Sequence, residues 1–121
     1  MTSWSTPDLD ALARVDETRV AGRRKDGSLR TPTIVWQVVV GNEVFVRSVK
    51  GAAGQWYRGV LRHLEGVISW NGQTRPVRFA PDRSRDAAID AAYLAKYGDG
   101  PNTQAIIDPT ATATTLRIDP R

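Results

Sequence analysis

The apolar positions along this chain change period several times, and each change predicts an element. Leu9, Leu12 and Val15 recur at helical spacing behind Thr6-Pro7-Asp8. There Thr6 can cap, Pro7 suits the first helical position and Asp8 complements the helix dipole. Thr18 to Arg24 reads as a first strand running into a turn at Asp26-Gly27. Thr33 to Val40, TIVWQVVV, is β-branched almost throughout and predicts a strand, and Gly41-Asn42 turns it back into Glu43 to Val49. The return strand is apolar on both faces, with Val44 and Val46 on one and Phe45 and Val49 on the other. Such a strand belongs to a barrel or a sheet covered on both sides.

Tyr57, Val60, Leu61 and Leu64 follow at i, i+3, i+4 and i+7, which predicts a helix over Gln55 to Leu64 ended by Gly66. Trp56, Gly59 and His63 share an adjacent stripe. Val67 to Trp70, Asn71-Gly72 and Gln73 to Phe79 form a second hairpin, in which Pro76 argues for an edge or a bulge. The alanine-rich run Arg83 to Gly98 predicts a helix with Asp86 and Asp90 early, Lys96 late and Gly98 closing it. Ile89, Ala92, Tyr93 and Leu94 are its packing candidates. The remainder predicts a short turn near Ala105 to Asp108 and a last strand near Thr114 to Ile118. About six short antiparallel strands with few helices predict a small closed or split barrel.

A length of 121 residues suits one domain, residues 1–121, with one core. There are no cysteines, so disulfides and thiolate metal sites are excluded. No apolar run reaches the roughly 20 residues of a membrane span, and the N-terminal stretch lacks the pattern of a signal peptide. A cytoplasmic protein away from membranes is the default expectation. The net charge of +4 comes mostly from arginine. Those arginines are scattered apart from Arg23, Arg24 and Lys25, which counts against a nucleic-acid partner and is compatible with a small anionic ligand. No metal constellation, nucleophile elbow or phosphate loop is present.

The densest chemistry lies in VRSVKGAAGQWYRGVL, Val46 to Leu61. Arg47 and Lys50 can make charge-assisted bonds to a phosphate or carboxylate. The amides around Gly51, Ala52 and Ala53 stand at a predicted helix start, an anion-binding position. Gly51 and Gly54 permit close backbone approach. Trp56, together with Trp36, can stack on a flat ring. His63, the sole histidine, is a candidate catalytic acid–base group. Plain readings stand beside these: Tyr57 and Trp56 as core aromatics, Arg47 and Lys50 as solvated charges, Ser48 as a turn cap, and His63 as an exposed helix residue.

In order along the chain, Gly22-Arg23-Arg24, Arg30-Thr31-Pro32, Arg47-Ser48, Gly51 and Trp56-Tyr57 resemble the motifs of the flavin/deazaflavin-binding split β-barrel superfamily, nitroreductase-like branch. Over its whole length the chain also resembles a group of short bacterial proteins of unknown function. The resemblance implies a small antiparallel split β-barrel of about six strands, mainly β with flanking helices (α+β). It further implies a flavin or deazaflavin, reductase chemistry on a small organic substrate, and a monomer or homodimer. Cofactor contacts from Arg30, Trp36, Arg47 and Ser48, and from Lys50, Gly51, Trp56 and Tyr57, are what it implies at the site.

The chain departs from the family at Gln55, Gly59-Val60 and Glu65-Gly66, where a proline, Asn-Leu and Asn-Pro are common. A second reading therefore stays open. In it the same cavity takes an organic ligand with no redox cofactor, as a binding protein or as an enzyme with His63 carrying protons.

Overall fold

The computed structural model describes residues 3–121. It contains helices α1 (Thr6–Arg14), α2 (Gln55–Leu61), α3 (Asp86–Tyr97), α4 (Pro101–Ile107) and α5 (Pro109–Thr112). The strands are β1 (Thr18–Gly22), β2 (Thr33–Val35), β3 (Gln37–Val40), β4 (Glu43–Val46), β5 (Glu65–Trp70), β6 (Gln73–Pro81) and β7 (Leu116–Pro120). They form one antiparallel sheet in the order β2-β1-β5-β6-β7-β4-β3. Its two edge strands, β2 and β3, are consecutive in the chain and joined by the single residue Trp36. The sheet therefore curls into a nearly closed α+β barrel of six strand positions, one of them split.

The continuous strand expected over Thr33 to Val40 is thus two strands. The reason is local. The Trp36 carbonyl accepts a 2.7 Å hydrogen bond from Tyr93 Oη, and the indole stacks on Tyr97. The residue is drawn toward α3 and out of the ladder. β4 likewise stops at Val46, short of the expected Val49, because Ser48 N donates to Thr114 Oγ1 instead of to a strand.

Strand alternation then distributes the side chains. Val44, Val46, Ile68, Val77, Phe79 and Ile118 fill the barrel, where Leu12 of α1 and Tyr57 and Val60 of α2 complete the core. On the opposite face of the same strands, Val38, Val40 and Phe45 pack under Ile89 and Tyr93 of α3 and Ile106 of α4. Apolar residues on both faces of β4 are explained by this second layer. Each fully buried side chain of this size contributes about 1.5–3 kcal/mol.

Several expectations hold with shifted detail. The α1 cap is Ser5, whose side chain accepts from Asp8 N, rather than Thr6. Asn71 and Gly72 both have positive φ, the type I′ turn that matches hairpin twist. Helix α2 ends at Leu61, not Leu64, and Leu61 is exposed. Its exit uses Leu64 at φ 57, so Gly66 is not the terminator. Gly66 lies in β5, where a Cβ would sit 2.0 Å from the Ala21 carbonyl oxygen. Pro76 lies in a strand that is paired on both sides over most of its length, but it precedes the first β7 pair at Val77↔Pro120, so its own position is a local edge. Leu94, expected to pack down, is exposed. The tail expected as one turn forms two short helices, α4 and α5.

Candidate functional site

Where β2 and the chain after β4 diverge, the barrel wall opens into a cleft with two adjoining compartments. The inner one, so called because it reaches the buried Arg47, is about 280 Å³ and is lined by Ile34, Val35, Trp36, Arg47, Val49, Trp56, Asn102 and Ile106. The outer one, about 440 Å³, is lined by Thr33, Ile34, Ser48, Val49, Lys50, Ala53, Gly54, Gln55 and Trp56. Ile34, Val49 and Trp56 belong to both and mark the passage between them. Ile34 and Val49 are about half exposed, at 49% and 53%, so this opening presents apolar surface to solvent.

Trp36 and Trp56 both lie in the lining. Trp36 is held firmly: Tyr97 stacks on one face at 4.0 Å with a 5° interplanar angle, and Tyr97 Oη donates to the carbonyls of Asp16 and Gln37. Trp56 sits on the first turn of α2 with its ring edge-on to Tyr57. Tyr57 itself is buried in the barrel core, so its place is structural.

Arg47 is the main correction to the sequence reading. Its side chain is 0% exposed and committed within the protein. Nε donates to Thr115 Oγ1, one terminal nitrogen to Asp90 Oδ1 and the Ile106 carbonyl, and the other to the Asp86 carbonyl, with Asp86 Oδ1 at 3.5 Å. Four of the guanidinium's five N–H donors are bonded in this way, and the second terminal nitrogen also faces Asp86 Oδ1 as an ion pair. The charge-assisted ligand bond expected of Arg47 is made to α3 instead.

The small-residue loop also turns inward. Ser48 Oγ donates to the Gly51 carbonyl, Gly51 N to the Ser48 carbonyl and Gly54 N to the Gly51 carbonyl. Gly51 has φ +66, and a Cβ there would lie 2.5 Å from the Thr110 methyl. At Gly54 a Cβ would lie 2.3 Å from Ser48 Oγ. The close approaches that these glycines permit are to α5 and Ser48. The loop amides of Gly51 and Gly54 are spent on the loop itself.

Lys50 is different. It is exposed in the outer lining, and among the described residues it has neither a salt bridge nor a side-chain hydrogen bond. Arg30 lies outside both linings, with its Cδ seated in the notch of Gly59, where a Cβ would be 2.8 Å away. Its Nε is buried without a hydrogen-bond acceptor. His63 is exposed beyond the end of α2 and lines neither compartment. The two compartments thus bring together Trp36, Ser48, Lys50 and Trp56 with the buried Arg47, and leave out Arg30, Gly51, Tyr57 and His63.

Sequence reasoning missed Ile34, Val49, Asn102 and Ile106 as lining residues, and it gave Asp86 and Asp90 to the helix dipole alone. A signal existed for the acids. Asp86, Asp90, Tyr93 and Tyr97 fall at i, i+4, i+7 and i+11, one face of α3, and all four reach Arg47 or Trp36. Among the described residues no group of His, Asp and Glu is placed to hold a metal ion, and no helix is long and apolar enough to cross a membrane.

Solved structures of the same fold support the split-barrel assignment. A conserved hypothetical protein from Mycobacterium tuberculosis superposes with TM-score 0.62 at 11% identity, covering 97% of this chain and 79% of its own. A putative 5-nitroimidazole antibiotic resistance protein from Bacteroides thetaiotaomicron gives TM-score 0.56 at 10% identity, with 99% and 81% coverage. An F420 reductase gives 0.50 at 17% identity, with 93% and 91% coverage. At these identities the likeness is one of fold. Among curated proteins, none matches the chain. The family profile described as "Uncharacterized protein conserved in bacteria (DUF2255)" matches residues 8–118, and the chain belongs to that family.

Proposed function

We propose that the cleft binds a flat aromatic cofactor with an anionic group, of the flavin or deazaflavin class, and that the protein serves reduction of a small organic substrate. The observation carrying this reading is the arrangement of the cleft: an inner compartment walled by Trp36, Trp56 and Ile34, and an outer one with Lys50 unpaired among the described residues. A ring fits the first by stacking and apolar contact. A phosphate or carboxylate fits the second through the Lys50 ammonium. When bound, such a group would supply hydride chemistry. The chain's own residues would bind and orient it and keep water from its inner edge. The names of two fold relatives, an F420 reductase and a putative 5-nitroimidazole resistance protein, agree with this reading.

A second reading draws on the commitment of Arg47. With that guanidinium and the Gly51 and Gly54 amides used internally, Lys50 is the lining cation left free among the described residues. That is modest support for a multiply charged cofactor, and it favours a barrel holding an organic ligand without one. His63 stands outside both linings, so this version needs no proton carrier there.

Titration of the purified protein with flavin mononucleotide and with a deazaflavin, followed by quenching of tryptophan fluorescence, separates the two. Saturable binding below about 100 μM that weakens in Lys50→Met supports the cofactor reading. No binding of either, with binding of an uncharged aromatic probe retained, supports the cofactor-free barrel.

A further inference from the structure

Arg47 lines the inner compartment, yet four of its five N–H donors are bonded inside the protein and its charge is paired with two acids. The arrangement behind it is unusual for a residue at a ligand wall. Asp86 and Asp90 reach the guanidinium from α3, one turn apart on the same helix face, and Asp86 is shared with Arg83 at 3.0 Å, so two acids balance two arginines. Neither carboxylate belongs to the compartment lining. The positive charge is therefore cancelled from behind, without a negative charge being presented to the cavity. The remaining wall is apolar apart from the Asn102 amide, a group suited to an uncharged polar atom.

We propose that Asp86 and Asp90 determine the charge selectivity of the cleft: by neutralising Arg47 they make the inner compartment accept an uncharged flat organic group and reject an anionic one. The proposal rests on the reading that the cleft binds a ligand. It assigns the two acids a positioning role, acting on the ligand through Arg47. A cation at the wall of a partly desolvated cavity draws anions strongly, because little water screens it. Pairing it with two carboxylates removes that attraction while leaving the shape of the wall intact. Any anionic part of a ligand is then directed to the outer compartment, where Lys50 stands. A tie that only held α3 to the barrel would leave ligand charge irrelevant, and this difference can be measured.

N-phenyl-1-naphthylamine and 1-anilinonaphthalene-8-sulfonate share one ring skeleton and differ by a sulfonate, and both fluoresce on entering an apolar cavity. Their dissociation constants are measured in a Lys50→Met background, which silences the outer cation. The expected result is that Asp90→Asn or Asp86→Asn tightens the sulfonate about tenfold relative to the neutral probe. Removing Arg47 as well, in Asp90→Asn/Arg47→Met, is expected to return the ratio to its starting value. Near-ultraviolet circular dichroism reports whether each variant keeps its packing. If the asparagine variants lose their fold, Arg47→Met decides alone: its two freed carboxylates are part-exposed and can be hydrated, the sulfonate should weaken relative to the neutral probe, and an unmoved ratio overturns the proposal. A ratio that stays raised in Asp90→Asn/Arg47→Met, or an unchanged ratio in folded asparagine variants, overturns the proposal. Neutral-probe binding by the wild type, with no change in ratio, leaves the cleft reading standing and removes only this one. Failure of the wild type to bind both the neutral and the sulfonated probe overturns both readings.

Discussion

Tyr97 lies flat on Trp36, ring centroids 4.0 Å apart and planes within 5° of parallel. The contact joins α3 to the residue where the barrel strand is interrupted, so the same pair fixes the split and one wall of the cleft. Tyr97→Leu removes the stack and the phenol's bonds to Asp16 and Gln37. The expected cost is about 2–4 kcal/mol of stability, read from the denaturant midpoint. Ligand affinity should fall as well, because Trp36 loses the surface that orients it.

Two glycines distinguish backbone crowding from side-chain crowding. A Cβ at Gly66 would meet the Ala21 carbonyl oxygen at 2.0 Å, inside a strand pair that cannot part without losing ladder bonds. Gly66→Ala is expected to cost about 3 kcal/mol or more. A Cβ at Gly59 meets Arg30 Cδ at 2.8 Å, and that side chain can swing away. Gly59→Ala also gains roughly 1 kcal/mol of helix propensity. Its stability should stay within about 1 kcal/mol of wild type. Thermal and urea unfolding of both variants check the contrast, and equal losses would contradict it.

Lys96 carries a pH prediction. Its ammonium donates to the Leu12 and Gln37 carbonyls in a half-buried position. Burial holds its pKa down to about 8, against 10.5 for a free lysine, while Asp16 acts weakly in the opposite direction. Between those values the unfolded chain binds the proton more tightly than the folded one. Stability therefore rises with pH across that window, and the penalty is fully present below pH 8. Tyr97, whose phenol is pushed up by burial, contributes in the opposite sense above about pH 10 as the unfolded tyrosine ionises. Urea unfolding of wild type and Lys96→Met from pH 7.5 to 10 should show the wild type gaining on the variant as pH rises. Half-exposure keeps the gain small.

Lys50→Met is expected to lower affinity for a phosphate-bearing cofactor about tenfold. The melting temperature should hardly move, since Lys50 makes no side-chain hydrogen bond or salt bridge among the described residues. His63→Ala should leave binding unchanged, because that residue lines neither compartment. A large binding loss in His63→Ala would place the site beyond the end of α2.

Local patterns by themselves determined much of this protein. The β-branched runs, the Asn71-Gly72 hairpin, the double-faced β4 and the alanine-rich α3 are read from neighbours a few residues apart, where period and turn chemistry act directly. They sufficed for an α+β barrel of about six strands. What tertiary structure decided lies between distant segments. Trp36 breaks its strand because Tyr93 and Tyr97, some 60 positions on, compete for its carbonyl and its ring. Arg47 stood in the sequence as a cation at a loop, with its acids about 40 positions away. Its charge is cancelled only when α3 docks on the barrel. Asn102 and Ile106 join the cleft for the same reason, since α4 is carried there by packing that no local period encodes. Gly51 was legible as a position needing close approach, but its partner, Thr110, was not. Local sequence sets backbone conformation through sterics and hydrogen bonding within a few residues. Which charge stays free to meet a ligand depends on long-range contacts, and here those contacts spend Arg47 and leave Lys50.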